Sequence, residues 1–169
     1  MKRIAADLSW QLRESMDGFL GRRRAATVLT LVGMASLAAV ALYQLGVFRC
    51  LPEPGIPGLD AERVNGSAEA YGILKTPDAV LGLGSYAATL GLIAMGGRDR
   101  AQTQPWIPLA LAAKCGLDSA QAARLTGRSW LRFRAFSLYS LVAALSTFLV
   151  FPLVLPEAKA AWNKLRSIW

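Results

Sequence analysis

The chain has 169 residues, of which 54% are apolar and only 18% charged, with a formal net charge of +8 and a mean hydropathy of +0.35. A soluble globular domain carries about 25% charged residues, so this composition describes one domain whose apolar surface is covered by lipid rather than by a large core of its own. Histidine is absent and cysteine occurs twice, which excludes Ser-His-Asp and Cys-His arrangements and most zinc sites, since these need imidazole or several thiolates.

The cations sit at the edges of apolar stretches, as in Arg22, Arg23 and Arg24, and not in one stripe with exposed aromatics. That placement flanks membrane helices and argues for a lipid bilayer, not nucleic acid, as partner. Residues 1–24 are amphipathic, with Ile4, Leu8 and Leu12 near one helical face and Lys2, Arg3, Asp7, Arg13 and Glu14 elsewhere, the pattern of a helix lying on a membrane surface. With no small-residue cleavage site behind it, this segment is expected to stay attached. Residues 25–48 are apolar without interruption; as a helix they reach ~36 Å, enough to cross a ~30 Å hydrocarbon layer.

Residues 49–76 change character, with Pro52, Pro54, Pro57, Gly55, Gly58, Gly66 and Gly72, and predict an extramembrane loop. Its Ile56, Leu59, Val64, Tyr71 and Ile73 are expected to pack back onto the helices. Pro77-Asp78 predicts a helix start capped by Thr76, with Asp78 at the positive end of the dipole, and opens a second span over 79–97 whose Gly82, Gly84 and Gly91 allow close packing. A polar connection over 97–104 leads to a third span over 107–123. Lys114, Asp118, Ser119 and Gln121 in that stretch keep a soluble amphipathic helix as its competing reading. A basic connector with Arg124, Arg128, Arg132 and Arg134 precedes a fourth span over 135–155, its far end marked by Pro152 and Pro156. The tail, 157–169, sets Trp162, Leu165 and Trp169 along one face, again a surface helix.

The predicted architecture is therefore all-α: an integral membrane four-helix bundle over 25–156 with an extracytoplasmic loop over 49–76, a cytoplasmic amphipathic segment over 1–24 and a C-terminal amphipathic helix over 157–169. Four spans place both termini on one side. Lys2, Arg3, Arg13, Arg22, Arg23, Arg24, Arg98, Arg100, Lys159, Lys164 and Arg166 on that side outnumber Arg49, Arg63, Lys75 and the four connector arginines on the other, which predicts termini in the cytoplasm.

The series Leu42-Tyr43-Gln44-Leu45-Gly46, the Pro-rich loop, Val64-Asn65-Gly66-Ser67, Tyr71-Gly72 and Pro77-Asp78-Ala79 leads into Leu81-Gly82-Leu83-Gly84-Ser85-Tyr86. Together with Arg134-Ala135-Phe136-Ser137-Leu138-Tyr139-Ser140 and the Leu-Pro-Glu-Ala run over 155–158, it resembles a bacterial vitamin K epoxide reductase (VKOR) homologue across roughly residues 26–160. The resemblance implies a bundle around a quinone of ubiquinone or menaquinone type in a bacterial inner membrane. It also implies a Cys-x-x-Cys pair at the extracytoplasmic start of the fourth helix that passes electrons from thiols to the quinone, and two loop cysteines that relay electrons from a partner. At the positions of the pair this chain has Ser137 and Ser140. A hydroxyl forms no disulfide, and thiolate attack is the family's chemistry, so thiol redox activity is expected to be lost. Two roles stay open: a quinone-binding protein descended from thiol oxidoreductases, and a non-enzymatic structural or assembly subunit of a larger membrane complex.

Ser137 and Ser140 read as hydroxyl donors in a retained quinone pocket, as local helix caps, or as cysteine-to-serine replacements of the kind that trap such enzymes. Cys50 reads as a loop thiol or a small apolar residue, and Cys115 as packing. Tyr86 and Tyr139 each offer a ring face and a hydroxyl to a quinone, or an interfacial anchor. Asp78 and Ser67 complete the candidate cofactor-binding set, with Asp78 also a cap and Asn65-Gly66-Ser67 also a turn. Lys114 and Asp118 lie four residues apart on one face of a membrane helix, as an internal ion pair, a snorkelling lysine, or a functional pair.

Overall fold

A computed structural model describes residues 10, 12–14, 17–72 and 75–167. Most of the predicted N-terminal surface helix, and Trp169 of the tail, lie outside these. The chain is helical, with no strand among the described residues: α1 (Gly18–Gln44), α2 (Ala61–Asn65), a 3₁₀ turn (Ala68–Tyr71), α3 (Asp78–Ala94), α4 (Arg100–Thr103), α5 (Trp106–Phe133) and α6 (Leu138–Arg166). α1 packs on α3 and α6, and α5 on α3 and α6, so the four long helices close a ring. α1 and α6 are long and apolar enough to cross a membrane, at ~40 Å and ~43 Å. α3 is apolar but only 17 residues long, about 25 Å.

α1 departs from the predicted 25–48 at both ends. Arg22 to Arg24 stand within it, because arginine is a good helix former and the helix begins at Gly18, after an extended Asp17. It ends at Gln44 because Gly46 takes φ +79°, which lets Gly46 N–H reach Tyr43 O (3.0 Å) and Val47 N–H reach Leu42 O (2.9 Å). This paired closure satisfies the last carbonyls and turns the chain out of the helix.

The predicted basic connector is not a loop. α5 runs through Arg124, Arg128 and Arg132 and stops only where Arg134 adopts φ 51°; no Pro intervenes, and the three arginines are exposed, Arg128 and Arg132 at the edge of a cavity. Pro152 and Pro156 likewise fail to end the fourth helix, which continues to Arg166. Each proline removes one N–H from the ladder, but the segment beyond is held from outside: Ala158 and Ala161 are buried, and Glu157 is 3% exposed in an ion pair with α4.

That ion pair gives terminal-side cations a structural role. Arg100 is fully buried and grips Glu157 with two parallel bonds, Nε to Oε1 and Nη2 to Oε2, both 2.7 Å. Its Nη1 also donates to the carbonyls of Leu92 (2.8 Å), Ile93 (3.1 Å) and Met95 (2.8 Å). Arg23 of α1 joins it, donating to Ile93 O (2.8 Å from Nη2) and Gly97 O (3.1 Å from Nη1). Two arginines thus satisfy the carbonyls at the C-terminus of α3, where helix ends leave acceptors unpaired. Arg23 and Arg100 are thus buried in contacts within the protein. The network also fixes the topology of the ring: the starts of α1 and α5 and the ends of α3 and α6 share this arginine end, and the loop between α1 and α3 lies at the other.

Above the arginine end, Ala26, Ile93, Leu111, Cys115, Val150 and Val154 form the main core cluster. Small residues then bring α1 onto α3. A Cβ built at Gly33 would lie 2.5 Å from the Tyr86 hydroxyl, which crosses behind it to donate to Ala143 O (2.6 Å) on α6. Gly33→Ala is therefore expected to push Tyr86 off α6 and to lower stability by ~1–3 kcal/mol, the usual cost of overpacking, seen as a reduced midpoint in thermal unfolding of the detergent-solubilised protein.

Candidate functional site

At the loop end, the segment between α1 and α3 is clamped onto the start of α6. Phe136 N–H donates to Gly58 O (2.8 Å), and Asp60 N–H donates to Phe136 O (2.9 Å), a short parallel pairing of Leu59 with Phe136. Glu53 accepts from Leu138 N–H (2.6 Å) with one oxygen and from Ala61 N–H with the other, so one carboxylate caps the N-termini of both α6 and α2. The Tyr139 hydroxyl donates to Pro52 O (2.7 Å). Arg132 at the end of α5 pairs with Glu69 of the 3₁₀ turn.

Under this clamp sits a polar core that the sequence alone does not reveal. Asn65, the last residue of α2 and 5% exposed, donates from Nδ2 to Ser137 Oγ (2.8 Å) and accepts from Ser140 Oγ at Oδ1 (3.3 Å). Ser137 is the N-cap of α6, its Oγ accepting from Ser140 N–H (3.4 Å). The cap reading therefore holds for Ser137, whereas the Ser140 hydroxyl is a partner of Asn65. Gln44 extends the network to α3: its Nε2 donates to Asn65 O (3.1 Å) and Asp78 Oδ1 (2.7 Å), and its Oε1 accepts from Ala79 N–H (3.2 Å). The N-cap position of α3 is Pro77, which has no side-chain cap bond; Gln44, reaching across from α1, caps Ala79 N–H.

Beneath Asn65 the ring opens into a cavity of about 610 Å³, within the range of small-molecule sites. Its walls are largely apolar, from Leu37, Val40, Gly82, Leu125, Ala143 and Ala144. Of the candidate residues, Ser137, Ser140, Asp78, Ser67 and Tyr86 line it. Tyr86 spends its hydroxyl on the far wall, on Ala143 O and on Thr147 Oγ1 (2.7 Å), and offers the cavity its ring. Ser67 donates to Val64 O (3.0 Å), holding the turn after Asn65. Tyr139 is not among the lining residues; its hydroxyl points to the loop. Cys50 is exposed and unbridged, and Cys115 is buried in the core, so no sulfur lines the cavity. Deeper down, Lys114 and Asp118 form the predicted internal ion pair.

Asn65 and Gln44 are the side chains of this polar core that sequence reasoning passes over. Asn65 reads as a turn residue before Gly66. Gln44 reads as the polar end of a span, although a lone amide in an apolar run calls for partners.

The model for the vitamin K epoxide reductase family matches residues 24–155. The chain belongs to this family. The match runs from α1 through most of α6, and so contains the whole of the Asn65, Ser137 and Ser140 cluster and its cavity. Neither a search of curated proteins nor one of solved structures returns a match. Membership in the VKOR family makes this a membrane protein of a quinone-related redox family.

Proposed function

We propose that the chain is a multi-pass VKOR-family protein of four spans, with α3 and α5 crossing beside α1 and α6 and both termini on the cytoplasmic side of a bacterial inner membrane. In this reading it holds a quinone of ubiquinone or menaquinone type in the cavity, without the thiol chemistry of its relatives. The observation that carries this reading is the Asn65, Ser137 and Ser140 cluster: a buried amide and two hydroxyls at the mouth of an apolar cavity.

The residues fit a quinone. The volume suits a substituted ring with part of a tail, the Tyr86 ring and aliphatic walls suit its faces, and amide and hydroxyl donors suit a carbonyl. Asn65 and Ser137 would hold that carbonyl, with Ser140 orienting the Asn65 amide. A bound quinone supplies a two-electron acceptor; the chain supplies the orientation and the exclusion of water. It does not supply a dithiol, because the only two thiols stand in the loop and in the core and neither lines the cavity. The structural use of both serines, as a cap and as partners of Asn65, favours a second reading in which the bundle serves as a non-enzymatic subunit of a larger membrane complex.

Solvent extraction of the protein purified in mild detergent separates the two. The quinone reading predicts an isoprenoid quinone approaching one per chain, reduced severalfold by Asn65→Leu. A lipid extract free of quinone, from protein that co-purifies with other membrane subunits, would support the second reading.

A further inference from the structure

The deep end of the cavity carries its own polar site, of opposite hydrogen-bonding character to the mouth. Lys114 and Asp118 lie one turn apart on α5 and face α3. Ser85 sits between them, its Oγ accepting from Lys114 Nζ (2.9 Å) and donating to Asp118 Oδ1 (3.0 Å). Lys114 also donates to Asp118 Oδ2, as does Thr89 Oγ1 (3.3 Å). Ser85 and Asp118 line the cavity, whereas Lys114 stands behind them.

A carboxylate has about four lone-pair sites, and a hydroxyl oxygen has two. On Asp118, Oδ2 accepts from Lys114 and shares the single Thr89 proton with Ser85 O (3.3 Å to each), while Oδ1 has one of its two sites taken by Ser85. The Ser85 oxygen has one lone pair taken by Lys114, and its proton is spent on Asp118. The positions these two residues leave open are therefore acceptors. The lysine balances the charge, so the site calls for a neutral donor and not for a cation. Ionisable groups within a membrane helix are costly and are kept where they act, and Asp118 of this pair borders the cavity.

We propose that Ser85 and Asp118 form a second anchor that accepts a hydrogen bond from an aromatic hydroxyl, so that the cavity selects phenolic ligands and, among quinones, the hydroquinone form. This deepens the quinone reading and, in its hydroquinone part, rests on it. At the mouth, the second Nδ2 hydrogen of Asn65 and the Ser137 hydroxyl can donate to oxygen; at Ser85 and Asp118, a carbonyl would meet only lone pairs, whereas an O–H completes the set. A hydrogen bond to a charged acceptor is worth enough to shift affinity about tenfold or more. A tenfold preference for the reduced form raises the two-electron potential of the bound couple by about 30 mV.

The test uses the full chain in lipid nanodiscs and four probes: decylquinone, decylhydroquinone, 4-decylphenol and its methyl ether, 4-decylanisole. Affinities are read by quenching of intrinsic tryptophan fluorescence, with the reduced probes handled under argon. The proposal predicts at least tenfold tighter binding of decylhydroquinone than of decylquinone, and of the phenol than of the ether. Both preferences should vanish in the charge-neutral variant Lys114→Met/Asp118→Leu, provided that its helical content matches the native chain. Equal affinity for phenol and ether on the native chain overturns the proposal, and needs no variant to fold. A preference that survives in the double variant also overturns it. Failure of both quinone forms to bind, with the phenol preference intact, would remove the quinone reading and leave this anchor standing. Binding of decylquinone with no phenol preference would do the reverse, and no binding of any probe overturns both.

Discussion

Glu157→Ala is expected to destabilise the protein by ~3–5 kcal/mol, the usual cost of stranding one member of a buried ion pair. Arg100 is fully buried, and its guanidinium is divided between the Glu157 carboxylate and three carbonyls of the α3 terminus. Without the carboxylate, an uncompensated cation remains beside Arg23, among carbonyls that carry only partial charge. The paired variant Arg100→Met/Glu157→Leu strands no charge and is expected to lose less than the single one, a non-additivity that identifies the pair as a unit. It should still fall short of the native chain, because Leu92 O loses the Arg100 bond, while Ile93 O and Met95 O keep Arg23. Thermal unfolding of the native, single and double variants in one detergent gives the comparison. Equal losses for the single and double variants would show that the carbonyl contacts, and not the ion pair, hold this end together.

The second large effect is expected at Asn65. Asn65→Leu removes the bonds to Ser137 and Ser140 and sets an apolar side chain against two hydroxyls, while the Gln44 bond to the main-chain carbonyl of residue 65 remains. Leaving buried polar groups unmatched costs ~1–3 kcal/mol, and binding of a carbonyl ligand at the mouth is expected to weaken by about tenfold or more. Asn65→Asp separates packing from donor chemistry. It keeps the shape and can still accept from Ser140, but it has no N–H for Ser137 or for a ligand carbonyl, so quinone binding should fall while the fold largely holds. The measurement is a quinone titration beside the unfolding midpoint of each variant. Unchanged quinone affinity in both variants would place the ligand elsewhere in the cavity.

The parts of this structure that could be read from the sequence are those written in local patterns. The apolar run of 25–48 and the Pro77-Asp78 start of α3 announce themselves through composition and turn chemistry. The errors fall where a local signal is overruled by a distant partner. Pro152 and Pro156 are helix breakers by propensity, but Glu157 is tied to Arg100 across 57 residues of chain and Ala161 is fully buried, and this holds α6 in one piece. The arginines of 124–132 resemble a connector only because charge is taken as a sign of a loop, although arginine itself favours helix. At the candidate site, residue type could be read but direction could not. Tyr86 and Tyr139 look equivalent in sequence, yet one ring lines the cavity and the other hydroxyl ties down Pro52. Asn65 meets Ser137 over a separation of 72 residues, which no periodicity encodes. The Lys114 and Asp118 pair was visible from its spacing, but its place at the floor of a cavity follows from the packing of α3 on α5.

The claim on which the account rests is that a VKOR-family scaffold here keeps its cavity while lacking the reactive sulfur. It is tested most directly by dithiol-driven reduction of decylquinone, measured side by side on the native chain and on Ser137→Cys/Ser140→Cys in the same membranes. The account predicts no turnover above the protein-free rate for the native chain, and measurable turnover once the thiols stand at the mouth of the cavity. Native turnover equal to that of the cysteine variant would contradict it.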